Sequence, residues 1–389
     1  MPDGWETCSW GDVVILEYGK ALNDYRNGIG IYPVYGTNGP IGFHTEALCK
    51  QSGVIIGRKG AYRGVHYSNK PFWVIDTAFY LKPKIEMDTR WAYYQLLTQD
   101  INAMDSGSAI PSTSRPDFYG LRLQLPPLPE QKIIASILSA LDDKIELNRR
   151  MNETLESMAR ALFQSWFVDF DPVRARMAGR QPYGMDAETA TQFPCAFANS
   201  LLGEIPTGWD WTGIGDIVEF AYGKALIEQA RRTGSVPVYG ANGQVGWHDE
   251  TLVTGPGIII GRKGNPGTVV WAATDFFSID TTFYVVPKGA VNSLPYLFHV
   301  LGHQNLPSLN SDSAVPGLDR NLAYQNKLLV PTPAILDAFD ALVYPLFSKI
   351  EANQSEIRTL AAIRDGLLPK LMSGELRMRE AEQIVEAAL

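Results

Sequence analysis

The sequence is written twice, and this duplication constrains every fold the chain can adopt. Gly4-Trp5-Glu6 returns as Gly208-Trp209-Asp210, and YGKAL at 18–22 returns at 222–226. PVYGTNG at 33–39 becomes PVYGANG at 237–243, IIGRKG at 55–60 recurs at 259–264, and IDTAFY at 75–80 becomes IDTTFY at 279–284. Residues 18–84 and 222–288 agree at 32 of 67 positions without a gap. The offset of 204 then becomes 205: SGSAIP at 106–111 pairs with SDSAVP at 311–316, Arg115 with Arg320, and KIELN at 144–148 with KIEAN at 349–353. Solenoid repeats run to roughly 50 residues at most, so a period this long is a duplicated domain pair.

Each half has one order, a strand-rich segment and then a helical one. VVIL, GVIIG and FWVIDTAFYL are β-branched and aromatic runs bounded by glycine and proline, the pattern of strands. TRWAYYQLLTQDI at 89–101 reads as a helix. Pro129 and Glu130 suit a first helical turn. From there a heptad seam runs Ile134, Leu138, Leu141, Ile145, Asn148, Asn152, Leu155, Ala159, Leu162, Trp166. Its partner seam is Phe339, Val343, Leu346, Ile350, Asn353, Ile357, Leu360, Arg364, Leu367, Leu371. The same stripes would serve two helices of one bundle core; their narrowness and polar flanks favour a paired rod, about 58 Å long at 1.5 Å per residue. Connectivity makes the rods antiparallel, with Asn148 and Asn353 near the midpoints, where a buried Asn pair sets register. The expected fold is therefore α+β: two homologous strand-rich α/β domains, 1–129 and 205–332, separated by a long antiparallel coiled coil of two helices, 130–172 and 333–389. Residues 173–204 are the expected linker, and the whole is related by an approximate two-fold axis.

Composition removes several classes. Cys8, Cys49 and Cys195 form no CxxC, which excludes a disulfide scaffold and a thiolate zinc site and fits a reducing cytoplasm. No apolar run approaches the roughly 18 residues of a membrane span, and the first residues carry no secretory pattern. The net charge of −8 argues against nucleic acid only as an average. Residues 50–84 hold Lys50, Arg58, Lys59, Arg63, Lys70, Lys82 and Lys84 against Asp76 alone, and local charge is what meets a partner.

The chain has no GxxxxGK[ST], no HExxH, no Asn-Pro-Pro-aromatic tetrapeptide and no GxGxxG after a strand. Pro116-Asp117 with Glu130-Gln131-Lys132 has the outline of a nuclease PD…ExK site, in which two carboxylates and a lysine hold a metal and activate water. The second half has Asn321, Leu322 and then Ala334 onward in those places, so Asp117, Glu130 and Lys132 form an enzyme alternative confined to one half. The duplicated IIGRKG is the better site. A strand ending in Gly-Arg-Lys-Gly puts Arg58 and Lys59, or Arg262 and Lys263, on a tight turn with free backbone N–H groups, suited to the phosphates of a duplex. Lys20, Lys224, Arg115 and Arg320 are duplicated cations, either of the same use or surface ion pairs. Where the copies diverge, residues 61–71 offer Tyr62, Arg63, His66, Asn69 and Lys70 to base edges or phosphates, while 265–275 offer Asn265. Two readers of different half-sites need a shared scaffold with divergent loops; drift of exposed loops gives the same pattern. Asn38-Gly39 and Asn242-Gly243 read as hairpin turns. A further alternative is a coiled-coil assembly protein that never touches DNA.

Leu125-Pro126-Pro127-Leu128-Pro129-Glu130-Gln131, running into a long helix, resembles the joint of type I restriction-modification specificity subunits. LESMARALFQSWFVDFDP at 155–172 is similar to that family's central region, and SLLGEIP at 200–206 with Gly208-Trp209 resembles the lead-in to its second target-recognition domain. The resemblance covers essentially the whole chain, in the order recognition domain, helical spacer, recognition domain, helical spacer. It implies a non-catalytic subunit reading a bipartite, asymmetric site in double-stranded DNA. It also implies two methyltransferase subunits and, in the full complex, restriction subunits as partners. S-adenosylmethionine, ATP and magnesium would sit on those partners, with no cofactor on this chain. The rods are acidic, which suits contact with protein, and their length would act as a ruler against a DNA turn of about 34–36 Å. The second helix departs from the pattern: Pro331-Thr332-Pro333-Ala334 replaces LPEQ, and the SWFVDFDP tail is missing.

Overall fold

The computed structural model describes residues 4–104, 111–289, 291–309 and 317–389, so the SGSAIP and SDSAVP copies, Pro111 apart, lie outside the described residues. The chain divides into two compact units, Met1–Asn148 with Ser355–Leu389, and Arg149–Gln354.

The strands of the first unit are β1 (Glu6–Ser9), β2 (Val14–Tyr18), β3 (Tyr32–Gly36), β4 (Gly39–His44), β5 (Gly53–Gly57), β6 (Val65–Ser68), β7 (Trp73–Val74), β8 (Ala78–Pro83) and β9 (Arg122–Leu125). They form an antiparallel sheet in the order β2-β8-β5-β6, a second sheet β4-β3-β7 and the pair β1-β9. The second unit has β10 (Phe197–Ser200), β11 (Gly203–Pro206), β12 (Asp210–Gly213), β13 (Val218–Tyr222), β14 (Val236–Gly240), β15 (Gly243–His248), β16 (Gly257–Gly261), β17 (Val269–Ala272), β18 (Phe277–Ser278), β19 (Thr282–Pro287) and β20 (Lys327–Val330). Its sheets, β13-β19-β16-β17, β15-β14-β18 and β12-β20, repeat the first unit strand for strand, and the hairpin β10-β11 is added.

The uninterrupted apolar run GVIIG has a physical reason. Strand β5 is buried on both faces: Val54 and Ile56 enter the main core with Trp91 and Phe118, while Ile55 enters a smaller cluster with Phe72 and Val74. Ile258 and Ile260 divide from Ile259 in the same way. The β3-β4 and β14-β15 hairpins turn at Asn38-Gly39 and Asn242-Gly243. Gly39 and Gly243 have φ of 111° and 100°, a region open to glycine at no steric cost.

The long helices are Leu128–Phe163 and Pro333–Met372. In the first unit Leu138, Leu141 and Ile145 pack with Leu360, Leu367 and Leu371. In the second, Ala159, Phe163 and Trp166 pack with Phe339, Val343 and Phe347, and Leu346 and Ile350 lie partly buried against them. Leu155, expected in the seam, is half-exposed and outside both cores. The midpoint asparagines each take a partner within their own unit: Asn148 donates to Glu356 at 2.9 Å and Asn353 donates to Asn152 Oδ1 at 2.8 Å. Arg364, another seam position, is no core residue; it donates to Asp142 at 2.7 Å.

The SWFVDFDP tail ends the first helix. A π turn at Gln164–Val168 drives Trp166 and Phe167 into the core, and Phe170, at φ 57°, reverses the chain. Residues 173–204, expected as a linker, carry helical and hairpin structure and bury Val173 and Phe193 completely.

Candidate nucleic-acid interface

One end of each four-stranded sheet gathers the duplicated motifs. Strand β2 ends there at Tyr18, β5 ends there at Gly57, and β8 begins there after Ile75-Asp76-Thr77; Tyr18 pairs Phe79 and Gly57 pairs Ala78. The Tyr18 ring lies between two guanidinium groups, Arg58 at 4.8 Å and Arg115 at 4.9 Å from its centroid. Tyr222 is flanked in the same way by Arg262 and Arg320, both at 4.9 Å. Such a cation–π contact contributes about 0.5–1 kcal/mol at an exposed site. Both rings are half-exposed, and the arginines that flank them are partly buried. The guanidinium groups are tethered: Arg58 donates to the Asp76 carbonyl at 2.8 Å and Arg262 to that of Asp280 at 2.9 Å. Arg115 donates to Tyr119 Oη at 3.4 Å, and Arg320 to the Phe220 carbonyl at 3.3 Å.

The repeated glycine of YGK follows from backbone crowding. A Cβ at Gly19 would strike the Ile75 carbonyl, and one at Gly223 would strike that of Ile279. The strand end therefore lies directly on the IDT segment. Thr37, at the β3-β4 turn, adds a hydroxyl bond to the Thr77 carbonyl at 2.7 Å.

Two sequence expectations need correction here, the free turn amides and the DNA reach of Arg63. The turn after β5 does not offer free amides: Arg58 and Lys59 donate theirs to the Thr77 carbonyl at 2.9 and 3.3 Å, and Gly60 donates to Pro111 at 3.0 Å. Arg262 and Lys263 donate to the Thr281 carbonyl at 2.9 and 3.1 Å. Arg63 is buried, 2% exposed, and donates to the carbonyls of Gly60, Asn102 and Met104 at 3.0, 2.9 and 2.7 Å. It staples the turn to Ile101–Met104 and cannot reach a duplex. His66 is half-buried with Nε2 3.3 Å from the Thr37 carbonyl, and burial pulls its pKa below the ordinary histidine value. Asn69 and Lys70 are exposed but follow Ser68, which pairs Gly53 at the far end of β5; the structure does not bring them to the Arg58 edge.

Lys20, Lys59, Tyr62, Lys224, Lys263 and Asn265 are exposed. Lys20 lies two residues after Tyr18, and its carbonyl accepts the Trp73 indole N–H at 3.0 Å. Tyr18 and Tyr222 were missed from sequence, although each opens the repeated YGKAL.

Residues 2–157 match the model of the type I restriction modification DNA specificity domain. The chain is 27% identical over 340 residues to the HindI type I restriction enzyme specificity subunit of Haemophilus influenzae, covering 70% of this chain and 73% of that one. It is 26% identical over 332 residues to the MjaIX specificity subunit of Methanocaldococcus jannaschii, covering 77% and 71%. The crystal structure of a type I S subunit from M. genitalium shares the fold, with a TM-score of 0.65 at 20% identity over 94% of this chain and 96% of that one. The chain carries the type I specificity domain and is similar along most of its length to the specificity subunits of type I restriction-modification systems.

A specificity subunit recognises DNA sequence and is not itself the enzyme, and the nuclease outline dissolves accordingly. Glu130 Oε2 accepts the Trp5 indole N–H at 2.8 Å. Gln131, almost wholly buried, accepts the Asp88 N–H at 3.0 Å and donates to the Pro126 carbonyl at 2.9 Å. LPEQ is thus a structural joint between helix and recognition domain. Asp117 stands exposed in the short helix Arg115–Gly120, where its N–H is capped by Ser114. Among the described residues no group of three His, Cys, Asp or Glu is placed to hold a metal, and no helix is long and apolar enough to cross a membrane.

Proposed function

We propose that each strand-rich domain of this specificity subunit reads one half of a bipartite, asymmetric DNA site. The observation that carries the reading is the paired Arg–Tyr–Arg cluster, built at matching ring distances in both units beside loops that differ. The clusters, with Lys20, Lys59, Lys224 and Lys263, hold phosphates and fix position; Tyr62 and Asn265 lie in the divergent turns that meet bases. The long helices dock two methyltransferase subunits and set the gap between half-sites, and restriction subunits complete the assembly. S-adenosylmethionine, ATP and magnesium then belong to those partners, and the complex works in the cytoplasm.

The test uses the chain assembled with its methyltransferase partner. Arg58→Ala and Arg262→Ala should each weaken binding to all duplexes about equally and lower the slope of log K against log salt by about 1. Unchanged slopes in both variants would remove the phosphate clamp. Inserting one heptad into each long helix should lengthen the nonspecific spacer seen by adenine-methylation mapping, and an unchanged spacer counts against the ruler.

A further inference from the structure

The two units differ most sharply at one internal place. In the first unit it is filled by a polar network: Tyr94 Oη donates to Asp142 at 2.6 Å, Arg364 donates to Asp142 at 2.7 Å, and Arg90 pairs with Asp143 at 2.6 Å. With the offset of 205 set by KIELN and KIEAN, and by the helix caps Asp88 and Ser293, the counterparts in the second unit are His299, Phe347 and Ala159. Pro295 and Ser348 replace the Arg90–Asp143 pair, and Gly302 replaces Leu97. The network is gone and a cleft of about 530 Å³ stands open beside these residues.

The cleft is not merely a packing fault. One wall is aromatic: Trp271 packs tilted against Phe347 at 4.6 Å and edge-on to Phe298 at 5.8 Å, and Phe163 stacks on His299 at 5.3 Å. His299 is 9% exposed, and its Nε2 has no hydrogen-bond partner among the described residues; the Trp271 indole N–H is likewise unpaired. A buried polar group without a partner costs about 1–3 kcal/mol, so a ligand that paired with either group would recover that cost. Burial pulls the His299 pKa down to about 4, so the ring is neutral near pH 7. The rim carries Glu156 and Glu351 against Arg160, which disfavours an anionic ligand.

We propose that this cleft binds a small planar heteroaromatic ring, neutral or cationic, stacked on the aromatic wall with a ring nitrogen accepting from Trp271 and an edge meeting His299. The volume falls in the range of about 300–1,000 Å³ typical of small-molecule sites. The site lies in one unit only, because the other unit keeps the filling residues.

The probe is 2-aminopurine, whose fluorescence is quenched on stacking, titrated into the full chain. Saturable quenching is expected, and adenine should compete while cyclohexanol should not. A Cβ at Gly302 meets nothing within 4 Å, so Gly302→Leu restores the first unit's residue without a clash and should weaken binding at least tenfold. Ala159→Arg is a second filling variant; circular dichroism checks that each variant is folded. Adenosine monophosphate should bind more weakly than adenine because of the acidic rim. The proposal is overturned by the absence of saturable quenching in the wild type, by equal affinity in folded Gly302→Leu, or by tighter binding of the monophosphate.

Discussion

Arg63→Ala separates two readings of one cation. The sequence places Arg63 in a basic, divergent loop, whereas the structure buries it against carbonyls at the end of the short helical turn Ile101–Ala103. Three hydrogen bonds at 2.7–3.0 Å carry the guanidinium. A bond involving a charged group contributes about 1.5–3 kcal/mol, but bonds made by one side chain are not additive. Removing the side chain also strands three carbonyls, so a loss of about 3–5 kcal/mol is expected. At roughly 2–4 °C per kcal/mol for a domain of this size, the melting transition of the first unit should fall by about 6–20 °C while that of the second stays in place. Scanning calorimetry of the full chain measures both. In the assembled complex, the salt slope of DNA binding should match wild type at a temperature where the variant is folded. A variant that melts with wild type but loses DNA affinity and about one unit of salt slope would refute the staple and return Arg63 to the interface.

Glu130→Ala leaves the Trp5 indole N–H without its acceptor and should cost about 1–3 kcal/mol of stability, with DNA cleavage by the assembled complex unchanged below the melting range. Lost cleavage with unaltered melting would instead revive a catalytic role. Asn353→Leu alone deprives Asn152 Oδ1 of its donor and should destabilise by about 1–2 kcal/mol, whereas Asn152→Leu with Asn353→Leu should recover the loss; urea titrations that give simple additivity would show the pair uncoupled. Burial pushes the Asp340 carboxyl up to about 6, while Ser293 donates to it. The folded state therefore holds this proton more tightly than the unfolded chain. The resulting stabilisation is complete below about pH 4 and is lost as pH rises through about 6. In Asp340→Asn that slope should disappear, and parallel stability profiles for variant and wild type between pH 4 and 7 would contradict the assignment.

The duplicated topology was legible because hydrophobic pattern and turn chemistry are local. GVIIG declared a strand, and Asn38-Gly39 declared a hairpin turn. The site was legible only in part, because side-chain direction depends on partners distant in sequence. The amides after β5 are taken by Thr77, which lies 18 residues beyond Lys59. Arg63 turns inward because Ile101–Met104 supply carbonyls about 40 residues away. No property of the loop itself distinguishes it from exposed Lys59. The seam failed at Leu155 and Arg364 for a related reason: a strict heptad assumes two uniform helices, while the recognition domains and the Asp142 network shape what each turn packs against.

Agreement between the copies is therefore a mixed signal, and the structure divides it by cause. Gly19 and Gly223 recur because a carbonyl occupies the space of a Cβ, and Gly57 and Gly261 are crowded by backbone in the same way. Those identities report packing and carry no information about DNA. Tyr18, Arg58 and Arg115 recur as Tyr222, Arg262 and Arg320 with half-exposed rings and flanking cations at matching distances, which backbone crowding does not require. The LPEQ joint gives the opposite case. Glu130 and Gln131 correspond to Ile335 and Leu336, both buried and apolar. The Trp209 indole, counterpart of Trp5, has no partner among the described residues. One joint is pinned by hydrogen bonds and the other by apolar packing. A repeated residue at a joint thus speaks to how each helix is anchored, and only a repeated residue that is exposed and free of backbone crowding speaks to the ligand both halves share.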